Sequence, residues 1–228
     1  MAMFFKSTGL VLALMAVIGL LIVLPAWKFG IVQDWRIILL SIGYFTFFLG
    51  TVWRVVRYGE LVNRAEDLQV KETSGRIASL ITVTGLLGVH WLTIYTFSIR
   101  DFSSNETLNG VASAIAISLI ISAILVSQIA IRTLGKFFDR LAIKSDHRLV
   151  TEGVYGFVRH PIYTSYILLF VGFCILLQSI WGFGLLLCVC IVWFGNRIGI
   201  EEQMLLDRFG DEYQSYCQQT KRLFPYVY

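Results

Sequence analysis

Six long apolar runs constrain this chain more than anything else in it. They fall roughly at residues 10–26, 37–52, 77–99, 111–131, 163–177 and 183–195. A helix that crosses a bilayer needs about 20 mostly apolar residues, because lipid offers no partner to a free backbone N–H or C=O. The last two runs are short, so they must tilt or extend into the polar residues beside them. Only 15% of the 228 residues are charged and 57% are hydrophobic, whereas a soluble domain carries about 25% charged residues. The expected fold is an all-α, multi-pass integral membrane protein of about six transmembrane helices. The first run is followed by Pro25, Ala26, Trp27 and Lys28 without a small-residue cleavage pattern, so it reads as a span and not as a removable leader.

Charge orients the spans. With six crossings, all of the 19 Lys and Arg except Lys28, Arg36 and Arg100 fall on one side. Basic residues gather on the cytoplasmic side of membrane proteins, so both termini are expected there. The net charge of +4 fits this topology and anionic lipid headgroups. No aromatic-basic interleaving or nucleic-acid motif is present, which argues against a nucleic-acid partner. Residues 59–75 are polar and mixed in charge, and read as a short surface helix or a plain connector. Cys174, Cys188 and Cys190 sit in apolar runs and Cys217 in the polar tail, with no zinc-ligand spacing to histidines. They read as reduced packing residues, and no metal is expected. His90, beside Trp91 with no second ligand near it in sequence, reads as a hydrogen-bonded packing residue.

Two polar islands flank the last hairpin. The first is Gly153-Val154-Tyr155-Gly156-Phe157-Val158-Arg159-His160-Pro161-Ile162-Tyr163, and the second is Asn196-Arg197-Ile198-Gly199-Ile200-Glu201-Glu202-Gln203. The hairpin brings both to one membrane surface, where polar groups are costly unless paired or used. Pro161 suits a first helical turn, and the start of that helix favours an anionic group. Ahead of it, Leu149 and Val150 form an extended piece turned by Glu152 and Gly153, with backbone groups open to read an adenine edge. Tyr155 and Tyr163 offer aromatic faces that attract a cation by about 0.5–2 kcal/mol. Arg197 and Glu201, four apart, share a helix face. Residues 201–216 read as an amphipathic helix interrupted at Gly210 and Asp211, lying over the opening as a lid. Each feature also has an ordinary reading: snorkelling for Arg159 and Arg197, an interfacial aromatic belt for the tyrosines, and helix capping for Glu201 and Glu202.

In order, Gly153, Tyr155, Arg159, His160, Pro161 and Tyr163, then Glu201, Glu202, Leu205, Phe209, Gly210, Tyr213 and Tyr216, then Phe224 and Pro225, form a pattern that resembles the isoprenylcysteine carboxyl methyltransferase family. The wider superfamily includes membrane phospholipid N-methyltransferases. The resemblance spans about residues 132–225 and does not reach the first three runs. It divides the chain into four N-terminal helices over residues 1–131, with a cytoplasmic loop at 54–76, and a methyltransferase-like region over 132–228 built of a cofactor loop, a helical hairpin and a tail helix. It implies S-adenosylmethionine as cofactor, in a cytoplasmic pocket. By motif, the cofactor contacts are His147, Arg148, Leu149, Val150, Tyr155, His160, Pro161, Ile162, Tyr163 and Glu201. Arg197 matches the family's substrate-side arginine, and Arg197 with His160 is the expected catalytic pair. Arg140 stands where the family has a glutamine facing the cofactor.

The implied activity is carboxyl methylation of an isoprenylcysteine-like or other lipophilic acceptor that enters from the bilayer among membrane lipids. A carboxylate is already ionised at neutral pH and needs only a cation such as Arg197 to orient it. An amine acceptor needs a proton removed, with His160 or Glu202 as candidates. A phospholipid N-methyltransferase, an NADPH-dependent sterol-type reductase and a non-enzymatic membrane scaffold are the competing readings. Intact His160 and Glu201 weigh against the last two.

Overall fold

The computed structural model describes residues 2–58, 76–100, 106–135 and 148–225. Helix α1 (Ala2–Ile18) runs through a π-helical turn, Gly19–Val23, into α2 (Leu24–Lys28). There follow α3 (Trp35–Tyr58), α4 (Arg76–Ser98), α5 (Glu106–Leu134), a 3₁₀ turn at Gly153–Gly156, α6 (Pro161–Leu176), α7 (Ile180–Phe209) and α8 (Asp211–Gln219). Among the described residues there is no strand beyond one isolated bridge between Val158 and Lys221. The expected residues 59–75, Arg140 and His147 lie outside the described residues.

Five helical stretches are long and apolar enough to cross a membrane: Ser7–Lys28, Trp35–Tyr58, Leu80–Ser98, Glu106–Leu134 and Ile180–Phe209. The chain is an integral membrane protein. The fifth expected span, 163–177, is α6, which has only 16 residues, about 24 Å at 1.5 Å per residue. Its partner α7 has 30 residues and runs straight through the second polar island, which adds about two turns to the same helix. The short helix and the long one are joined by a tight turn. Gln178 takes a left-handed φ of 49°, and Ser179 caps α7 by accepting from Gly182 N at 2.9 Å. Because α7 outlasts the hairpin, its last turns lie beside the polar start of α6.

The helices meet through small residues, as is usual where lipid gives no hydrophobic drive for association. At Gly172 of α6 a Cβ would stand 3.1 Å from the Ala116 carbonyl of α5 and 2.9 Å from Ile120. The apolar core is largely aromatic. Tyr44 and Phe47 of α3 pack on Phe173 and Tyr166 of α6, at centroid distances of 6.0 and 5.2 Å. His90 is 1% exposed there. Its Nε2 lies 2.9 Å from Tyr44 OH and its Nδ1 2.7 Å from the Leu86 carbonyl. Both ring nitrogens are engaged, as expected of a packing residue. The four cysteines are free thiols.

Candidate active site

Pro161 starts α6 because it has no N–H to leave unpaired in a first turn, and His160 is the residue before it. One turn into α6, Tyr163 points at α7. Its hydroxyl donates to Glu201 Oε2 at 2.7 Å and accepts from Arg197 Nε at 3.0 Å. The i, i+4 pair on α7 is thus joined through a side chain of α6. The Tyr163 ring stacks on His160 at 5.6 Å and packs against Phe194 at 5.4 Å. These rings hold the hydroxyl in place without help from the polar groups.

The two adjacent glutamates are in different settings. Glu201 is 35% exposed, and His160 Nδ1 lies 3.8 Å from its Oε2. Glu202 is 14% exposed and has both oxygens occupied. Its Oε1 accepts from Arg159 Nε at 3.0 Å and lies 3.3 Å from His160 Nε2, while its Oε2 accepts from Arg222 Nε at 3.0 Å. A carboxylate held by two guanidinium groups and an imidazole is a poor acceptor for a substrate proton. The candidate bases for an amine acceptor therefore reduce to His160. Arg159, at 9% side-chain exposure, also donates to the Thr220 and Cys217 carbonyls. It braces the structure and does not snorkel.

Tyr155, in the 3₁₀ turn, is 6% exposed, and its hydroxyl is buried with no hydrogen-bond partner among the described residues. Such a group costs about 1–3 kcal/mol unless something completes it. Burial, and then the nearby Glu201 carboxylate, push its pKa well above the usual tyrosine value. It therefore stays a protonated donor directed into the neighbourhood of Glu201 and Tyr163. The backbone carbonyl of Tyr155 accepts from Tyr216 OH at 2.6 Å, which ties α8 to this turn.

Of the expected site residues, the structure gathers His160, Tyr163, Arg197 and Glu201 into one cluster with Tyr155 beside it. Pro161 is buried and Ile162 partly buried at the head of α6. Val150 is 7% exposed and packs with Ala130 and Tyr155, and Leu149 is partly buried. The Arg148 side chain, 63% exposed, pairs with Glu152 at 2.6 Å. The expected tail helix over 201–216 is two pieces. Residues up to Phe209 complete α7, Gly210 breaks the chain at a φ of +51°, and α8 resumes at Asp211. Arg222 escaped the sequence reading. Its signal was a basic pair, Lys221 and Arg222, placed just ahead of Phe224 and Pro225. No group of three or more His, Cys, Asp or Glu able to hold a metal occurs among the described residues.

The fold and site define a multi-pass helical membrane protein with a polar cluster at the end of its bundle, strapped by its own C-terminal segment. The isoprenylcysteine carboxyl methyltransferase family model matches residues 115–207. The chain is 32% identical over 146 residues to protein-S-isoprenylcysteine O-methyltransferase of Tribolium castaneum, covering 63% of this chain and 45% of that protein. It is 32% identical over 120 residues to protein-S-isoprenylcysteine O-methyltransferase B of Arabidopsis thaliana, covering 50% and 60%. It is 37% identical over 79 residues to methanethiol S-methyltransferase 1 of Bradyrhizobium diazoefficiens, covering 35% and 27%. The matches thus reach only part of each relative's length. The solved structure of the eukaryotic intramembrane Ras methyltransferase, isoprenylcysteine carboxyl methyltransferase, aligns over 98% of this chain and 84% of that one, with a TM-score of 0.55 at 21% identity. The two share a fold.

Proposed function

We propose that this chain is an S-adenosylmethionine-dependent membrane methyltransferase that methylates the carboxylate of an isoprenylcysteine-like or other lipophilic acceptor, with its pocket on the cytoplasmic side. The observation that carries this reading is the Tyr163 hydroxyl joining Arg197 to Glu201 beside His160. It sets an anion-seeking group and a cation-seeking group next to each other. The residues fit the methyl donor: the buried Tyr155 hydroxyl lacks a partner among the described residues, and Glu201 keeps a third of its surface open. Bound there, the donor supplies a methyl group on a cationic sulfonium. Tyr155, His160, Tyr163 and Glu201 are the residues to hold it, with the head of α6 at Pro161 and Ile162, and Leu149 and Val150 along the approach. Aromatic faces and a carboxylate favour the sulfonium over a neutral ligand. Arg197 orients the acceptor carboxylate, which is already ionised and loses no proton. Positioning and exclusion of water then supply most of the rate.

The similarity to methanethiol S-methyltransferase supports a second reading, in which the acceptor is a small thiol. Calorimetric titration of detergent-purified protein with S-adenosylmethionine and, separately, NADPH tests the donor. Micromolar binding of the former, lost in Glu201→Ala, is the expected result. Binding of NADPH alone overturns the proposal in favour of a reductase. An acceptor screen with farnesylcysteine analogues, a phospholipid amine and small thiols then separates the substrate classes.

A further inference from the structure

The segment that follows α8 lies against the loop carrying His160. Arg159 N donates to the Lys221 carbonyl at 2.8 Å and His160 N to the Arg222 carbonyl at 3.0 Å. Val158 and Lys221 form the bridge between them. Thr164 Oγ1 donates to the Leu223 carbonyl. Backbone hydrogen bonds and the Thr164 hydroxyl therefore fasten this strap to the start of α6.

A second fastening uses charge. Arg222 reaches Glu202 Oε2 with Nε at 3.0 Å and Nη2 at 2.9 Å, a two-pronged contact. The other oxygen of Glu202 serves Arg159 and His160. The Arg222 side chain is 41% exposed and that of Glu202 14%, so as adhesion alone this pair is screened by solvent and contributes little. The charged fastening therefore points to a task beyond adhesion. A neutral imidazole carries one N–H. A carboxylate fixed at Nε2 selects the proton for that nitrogen and turns the Nδ1 edge towards Glu201. Arg222 in turn holds Glu202 on the strap side, away from Tyr163.

We propose that Arg222, acting through Glu202, is a positioning residue of the methyl-donor pocket: it fixes the His160 ring and leaves Glu201 as the one glutamate of the pair presented to a cationic ligand. The inference rests on the donor reading given above and goes beyond it, because Arg222 is not among the residues assigned to the donor and acts through Glu202. Loss of Arg222 frees Glu202 to turn, and the imidazole turns with it.

The test is calorimetric titration of full-length protein with S-adenosylmethionine, for wild type, Arg222→Ala, Arg222→Lys and Glu202→Gln, with melting curves recorded without ligand. Arg222→Ala is expected to weaken donor binding about tenfold, the scale of one hydrogen bond to a charged group. The KM for the acceptor should stay unchanged, and Arg222→Lys should recover part of the loss. Wild-type donor affinity in Arg222→Ala, with only a lowered melting temperature, overturns the proposal and makes the strap purely structural. Should Arg222→Ala not fold, Glu202→Gln carries the test, with the same expected loss and the same overturning result. A wild-type protein that binds no S-adenosylmethionine removes the donor reading itself, and this inference with it.

Discussion

The hydroxyl of Tyr163 donates to Glu201 at 2.7 Å, and Arg197 donates to that same hydroxyl at 3.0 Å. One oxygen thus sets the distance between a cation and an anion that α7 alone holds only loosely. Tyr163→Phe keeps the ring contacts with His160 and Phe194 and removes only this link. The melting temperature should change little. Donor affinity and acceptor KM should both worsen, each by about tenfold, since two charge-assisted hydrogen bonds are lost. Calorimetry and steady-state kinetics on one preparation check both. A change in only one of them would mean that Tyr163 serves a single ligand.

Arg197 separates the two acceptor classes. A guanidinium grips a carboxylate with two parallel N–H groups, and an ammonium does not. For a carboxylate acceptor, Arg197→Lys should raise KM roughly tenfold, about 1.4 kcal/mol, and Arg197→Ala should raise it further, with donor binding unaffected. For a small thiol both substitutions should have little effect on KM. Acceptor saturation curves for the three proteins distinguish these outcomes.

How much of this was legible in the sequence follows from which interactions are local. The apolar runs marked the helices because burial in lipid is a property of each segment. The four-residue spacing put Arg197 and Glu201 on one face, and Gly210 marked a break that its positive φ explains. The extent of α7 was missed because its apolar run stops at residue 195, which separates the span from a tail helix starting at Glu201, whereas one helix continues unbroken to Phe209. Its polar face is satisfied by α6 and by the strap. The asymmetry between Glu201 and Glu202 was out of reach. It depends on Arg159 and Arg222, 43 and 20 residues away in sequence.

The contact between α5 and α6 depends on the absence of a side chain at Gly172. Adding a Cβ puts it 3.1 Å from a backbone carbonyl that cannot rotate away. Gly172→Ala should therefore destabilise the protein by about 1–3 kcal/mol, the usual cost of overpacking, and Gly172→Leu should prevent recovery of folded protein. Melting in detergent measures the first and gel-filtration yield the second. Donor affinity per folded molecule should hold in Gly172→Ala, because Gly172 lies more than two turns along α6 from Tyr163.

Tyr155 gives the reverse pattern, in which stability and binding move in opposite directions. Its hydroxyl is buried and unpartnered among the described residues, so Tyr155→Phe relieves a desolvated polar group. The ligand-free protein should be unchanged or stabilised, by up to about 1–3 kcal/mol. If the hydroxyl is completed by the methyl donor, the same substitution weakens donor binding. A purely structural tyrosine loses stability and leaves affinity alone. Alkaline pH adds a second signature. Burial, and then Glu201, raise the folded-state pKa above the ordinary value of 10.0, so the unfolded chain ionises first. This group's share of stability is present below pH 10 and is lost as pH rises from there towards the folded-state value. Tyr213 and Tyr216, also raised by burial, lose stability in the same range. The alkaline slope of the melting curve should therefore be shallower in Tyr155→Phe than in wild type without vanishing, and equal slopes would place the Tyr155 hydroxyl in contact with water.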